Sequence, residues 1–136
     1  GTVTTKEKGA GILANTERLQ RFLEESFEKS PIDISIKTRI GMENPEEFER
    51  LMEIYNKYPL KELIIHPRLQ IDYYNNHPNM EVFSYAVEKS KAPLCYNGDL
   101  FSAEDIKNFQ KQYPTIENTA EIKAFFKHVK DDKYFE

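Results

Sequence analysis

A single cysteine among 136 residues leaves no room for an internal disulfide framework or a multi-cysteine metal site. No apolar run approaches the roughly 20 residues that span a bilayer, and no secretory pattern opens the chain. The expectation is therefore a cytoplasmic setting. Neither sign of charge dominates: 19 basic and 23 acidic side chains give a net charge of -4. That balance argues against a protein held to phosphate backbones by bulk attraction, while a local basic cluster on an acidic whole stays open. No stretch is low in complexity or reads as an interdomain linker. What is present, 39% hydrophobic and 31% charged residues, is the composition of one soluble globular domain long enough to bury a core.

Five helices are predicted from apolar spacing and capping residues. Leu19, Phe22, Leu23 and Phe27 recur at helical intervals after Asn15, a cap. Phe48, Leu51, Met52 and Tyr55 follow Asn44-Pro45, a cap with proline at the first helical position. Residues 79–90 form a third helix. Ser102 with Asp105 opens a fourth that turns Ile106 and Phe109 inward. Ile122, Phe125, Phe126 and Val129 mark a fifth, in a C-terminal helical segment (119–136) set apart from the body at 1–118. Between the helices lie β-prone runs at 32–41, 60–68 and 93–99, so strand and helix alternate and a parallel sheet with crossover helices is expected.

The alternation has a period. Lys37, His66 and Asn97 are spaced by 29 and 31 residues, against roughly 31 per unit in an eight-unit βα barrel of about 250 residues. The expected architecture is α/β: a partial (β/α)8 TIM-barrel of about four consecutive βα units. Splitting each run by strand alternation puts Ile34, Ile36 and Ile40 opposite Ser35, Lys37 and Arg39. It puts Leu63 and Ile65 opposite Ile64, His66 and Arg68, and Leu94 and Tyr96 opposite Cys95, Asn97 and Asp99. One face is apolar, for packing under helices. The other turns polar toward the C-terminal strand ends, where βα proteins bind ligands.

Lys37, His66 and Asn97 are accordingly placed at equivalent positions of three successive strands. Singly, each has a plainer explanation: a solvated charge, a structural imidazole, an Asn-Gly turn. Sharing one face and one period, they supply a cation, an imidazole and an amide to one site, a set suited to an anionic heteroaromatic ligand such as a flavin or nucleotide. Cys95 lacks a cationic sequence context and reads as a buried structural residue. No metal site is expected.

Four segments in order, KGAG (8–11), IKTRIG (36–41), IIHPR (64–68) and NGDLFSAED (97–105), resemble the flavin-dependent tRNA-dihydrouridine synthases over about residues 3–113. The resemblance implies an FMN-binding barrel that reduces a uridine of tRNA with NADPH as reductant. It implies cofactor contacts from Lys37 and His66, and from the loop Asn97, Gly98 and Asp99 beside the ribityl-phosphate. Arg39 and Arg68 match recurrent basic positions on the substrate side. Residues 69–78 fall where the family has a variable segment over the substrate, and Tyr73 or Tyr74 there would stack on a base.

The family's catalytic cysteine lies shortly before KGAG. The preceding residues here, GTVTTKE, hold none, and Cys95 sits in another strand. No glycine follows Gly98 and no arginine follows Arg68, so the family's second phosphate element, a Gly-Arg pair, is missing in its usual form. No catalytic residue is assigned, and little or no turnover is expected from these residues alone. The alternative is a non-catalytic α/β binding or assembly module derived from a flavin barrel, self-associating to cover its exposed strand edges. A flavin barrel acting on another substrate ranks below both.

Overall fold

The computed structural model describes residues 2–4, 15–29, 32–72 and 76–120. Strand β1 (Thr2–Thr4) is followed by helix α1 (Thr16–Lys29), β2 (Ser35–Arg39), α2 (Glu47–Tyr55) and β3 (Glu62–His66). A short 3-10 turn (Gln70–Asp72) then leads to α3 (Met80–Lys89), β4 (Leu94–Tyr96), α4 (Ala103–Gln112) and β5 (Glu117–Asn118). The five strands lie in the order β1-β2-β3-β4-β5 and every pairing is parallel. Each crossover therefore advances the chain in the same direction. That is barrel winding; a doubly wound sheet would reverse direction at a switch point. The fold is α/β, a partial (β/α)8 barrel.

The helices begin where their caps predict, with one exception. Asn15 accepts from the Arg18 amide and Asn79 from the Val82 amide, both at 3.1 Å. Ser102 and Asp105 form a complete capping box. In α2, however, Asn44 closes the preceding turn, its side chain accepting from the Glu46 amide at 3.0 Å, and the helix starts at Glu47. The cause is the Glu47 carboxylate, which accepts from the amides of Met42, Glu43 and Asn44 at 3.1, 3.0 and 2.7 Å. Gly41, at φ +148, makes this wrap possible, because a Cβ there would sit 2.9 Å from the same carboxylate.

The core fills the space between the outer sheet face and the helices. Ile36, Ile40, Leu63, Ile65, Leu94 and Tyr96 meet Leu19, Leu23, Phe48, Leu51, Met52, Phe83 and Phe109, all buried. Each large apolar side chain so buried contributes about 1.5–3 kcal/mol. Under β4 the packing is aromatic. Tyr96 stacks on Phe109 at 4.5 Å between centroids and meets Phe83 edge-on at 5.0 Å, and Tyr113 closes the cluster on Phe83 at 5.3 Å. Such pairs add about 0.5–1.5 kcal/mol each beyond their area. Phe22, expected inside, is 38% exposed; Leu19 and Leu23 already cover the sheet-facing stripe of α1.

Two strands lie outside the three β-prone runs. Strands β1 and β5 have three and two residues, too few to show any alternation. The predicted fifth helix, with Ile122, Phe125, Phe126 and Val129, falls outside the described residues apart from Thr119 and Ala120. So do the KGAG segment, Tyr73 and Tyr74.

Candidate functional site

Parallel pairing sets the residues of the inner sheet face on rungs. Lys37 pairs with Ile64, Ile64 with Cys95 and Cys95 with Glu117. One pleat further toward the C-terminal ends, Arg39 pairs with His66. Extending the same register puts Asn97 beside His66 and Thr119 beside Asn97, and the Asn97 amide bonds the Ile65 carbonyl at 2.8 Å accordingly. By residue spacing, Lys37 would stand level with His66 and Asn97. The face is correct, but Lys37 lies one pleat lower and Arg39 takes the rung. Counting residues measures the length of the connecting segments, whereas hydrogen-bond register decides the level.

Above these rungs the β2 and β3 segments stay paired past their strand ends. The Ile40 amide bonds the Arg68 carbonyl at 3.2 Å, Gln70 bonds Gly41 at 2.9 Å and Ile71 bonds Met42 at 3.1 Å. Arg39, only 3% exposed, adds a bond from Nη1 to the Leu69 carbonyl at 2.9 Å. The rim of the site is thus a zipped pair of loops.

Arg68 is its hub and is 2% exposed. Nη1 donates to His66 Nε2 at 2.9 Å and to Asp99 Oδ1 at 3.0 Å. Nη2 donates to Asp99 Oδ2 at 2.5 Å and to the Asn76 carbonyl at 2.8 Å, and Nε donates to that same carbonyl at 3.2 Å. The Arg68–Asp99 fork is bidentate and charge-assisted, the strong form of an ion pair. It joins the loop after β3 to the loop after β4. Asn76, at φ 63, is held to Asp72 Oδ1 at 2.9 Å, and Asp72 Oδ2 accepts from the Leu69 amide at 3.0 Å. Asp72, Asn76 and Thr119 were not singled out from sequence. Thr119 meets Asn97 from the neighbouring strand end 22 residues on, and Asn76 meets Arg68 through its backbone carbonyl, so no side-chain pattern marks either; Asp72 acts through Asn76.

The electrostatics follow from this crowding. Burial, then Arg39 and Arg68, push the His66 pKa down to about 4, with Asp99 opposing and Lys37 assisting. The ring is neutral at neutral pH. The hydrogen bond from Arg68 holds the Asp99 carboxyl below the usual carboxylate range. Both Asp99 oxygens accept from Arg68, which ties the loop after β4 to the loop after β3. Asn97 Oδ1 accepts from Thr119 Oγ1 at 2.8 Å, which fixes the orientation of the amide and with it the direction of its Nδ2 donors. Gly98 sits where a Cβ would come within 2.1 Å of the Tyr96 hydroxyl, so the loop can close over the aromatic cluster only with glycine there.

Lower on the same face, Glu62, Cys95 and Glu117 bring their ligand-type atoms within 4.8 Å of one another. Burial pushes the Cys95 thiol up to about 12, so it stays protonated. Burial and the neighbouring Glu117, which shares a hydrogen bond with it, raise the Glu62 pKa. A protonated thiol thus lies beside a hydrogen-bonded carboxyl pair on the Lys37 side of the sheet.

Comparison with known proteins agrees with this geometry. The family model described as Dihydrouridine synthase (Dus) matches residues 1–116. A curated protein named tRNA-dihydrouridine(16) synthase, from Vibrio parahaemolyticus serotype O3:K6 (strain RIMD 2210633), is 27% identical over 106 residues. The match covers 76% of this chain and 33% of that relative, so the chain spans about a third of the relative's length. With parallel barrel winding, a polar inner face at the C-terminal strand ends and a family match over most of its residues, the chain belongs to the dihydrouridine synthase family.

Proposed function

We propose that this chain supplies part of the flavin-holding wall of a tRNA-dihydrouridine synthase, with FMN as cofactor, NADPH as reductant and a tRNA uridine as substrate. One observation carries the reading: Lys37, His66 and Asn97 bring a cation and N–H donors to one inner face near the C-terminal strand ends, with the buried Arg39 and Arg68 behind them. Such a set fits an anionic, acceptor-rich ring system and repels a cationic one. FMN, when bound, supplies hydride-transfer chemistry; the protein holds and tunes it. Lys37 gives positive charge from the lower rung, His66 gives a ring N–H, and Asn97 gives its amide protons. Gly98 keeps the loop low. Arg39, Arg68 and Asp99 act on cofactor and substrate by holding the rim that carries these groups.

No residue here is given the proton-donor role, so these 136 residues are expected to bind without turning over. The setting is the cytoplasm, where tRNA is modified. Among the described residues no helix is long and apolar enough to cross a membrane. The outer strands β1 and β5 are the sheet edges, and self-association covers those edges.

The test is quenching of FMN fluorescence as the chain is added. Saturable quenching is expected, weakened about tenfold by Lys37→Ala or Asn97→Ala, the loss of one contact worth roughly 1.4 kcal/mol. Absence of saturation up to high micromolar FMN defeats the flavin reading. It would favour a non-catalytic α/β assembly module, the second reading that the open sheet edges support.

A further inference from the structure

Arg68 is a donor-only side chain, charged at every accessible pH. Its five N–H groups face His66 Nε2, the two oxygens of Asp99 and, twice, the Asn76 carbonyl. Four of these contacts involve ordinary oxygen acceptors. The fifth constrains chemistry, because a guanidinium cannot accept a hydrogen bond. The ring nitrogen it meets at 2.9 Å must hold a lone pair.

From this geometry we infer that Arg68 is a positioning residue that locks His66 as the neutral Nδ1–H tautomer, so that His66 meets a ligand only as a donor to an acceptor atom. The ligand half of the inference rests on the flavin reading above and names the contact: a carbonyl oxygen or unprotonated ring nitrogen of the heteroaromatic system, not a ring N–H. The tautomer half stands without it. The charged groups around the ring agree. Among the described residues Lys37, Arg39 and Arg68 oppose a second proton and Asp99 favours one, and the ring stays neutral across the physiological range. Asp99 is the anchor. Its bidentate fork, with the Asn76 carbonyl on the far side, stops the guanidinium turning away from the ring. The tautomer of a β3 residue is therefore set from the loop after β4.

Two-bond ¹⁵N–¹H correlation spectra of the uniformly labelled 136-residue chain at pH 7 read the tautomer directly, with His66 assigned by loss of its signals in His66→Gln. A pyrrole-type Nδ1 and a pyridine-type Nε2 are expected in the wild type. Arg68→Met is expected to move the ring to the Nε2–H form, and Asp99→Asn to a mixture. A wild-type ring protonated at Nε2, or an Arg68→Met ring unchanged from wild type, overturns the inference. Should Arg68→Met not fold, the wild-type and Asp99→Asn spectra decide it. FMN titrated into the same samples separates the two readings: an intact Nδ1–H tautomer with no flavin binding removes the ligand half alone.

Discussion

At His66 the folded protein resists a proton that the unfolded chain accepts. Its pKa lies near 4 in the fold, against an ordinary value of 6.5 for the free side chain. Between those values the unfolded state binds more protons, so stability falls as pH falls. Asp99, lowered by Arg68, adds a further loss only at more acid pH, as its carboxylate is protonated. Urea midpoints at pH 7 and pH 4.5 are expected to drop steeply in the wild type and less steeply in His66→Gln; equal slopes would show that His66 is not the group responsible. His66, Arg68 and Asp99 each stood out in the chain as residues at polar strand ends. Their mutual contact did not, because 31 residues separate Arg68 from Asp99. Only the parallel register of β3 and β4 brings the two loops together.

Elements divide by how their ends are made. Helices α1, α3 and α4 were legible because each cap lies within four residues of the amide it serves. The start of α2 was displaced by a bond from a carboxylate inside the helix back to its own loop, which competes with the Asn-Pro signal. Strands β1 and β5 were invisible, since two or three residues carry no periodicity and exist only through their neighbours' hydrogen bonds. Two substitutions around α4 contrast these effects. Ser102→Ala removes a side-chain cap on an exposed helix end and is expected to cost about 1 kcal/mol. Gly98→Ala drives a methyl into the ring and hydroxyl of Tyr96, a ring already stacked on Phe109 and edge-on to Phe83, and is expected to cost about 1–3 kcal/mol. Urea unfolding of the two variants measures both, and a Gly98→Ala protein as stable as wild type would mean that Tyr96 moves freely.

Over the described residues, the strand order β1-β2-β3-β4-β5 makes a parallel sheet with its apolar face packed under the helices. A parallel sheet is ordinarily covered on both faces, and here the inner face carries Lys37, Glu62 and Glu117. Sedimentation velocity across a roughly hundredfold concentration range is expected to show self-association through the strand edges; a monomer at every concentration would remove the assembly reading. The sequence alone determined the class of fold, the period of its units and the face of each strand that meets the helices. Those properties follow from local alternation and from caps a few residues long. Tertiary structure alone decided the level of Lys37, the burial of Arg39 and Arg68, and the tautomer of His66. Each of these depends on register and on partners distant in the chain, where hydrogen-bond geometry, not residue spacing, sets what touches what.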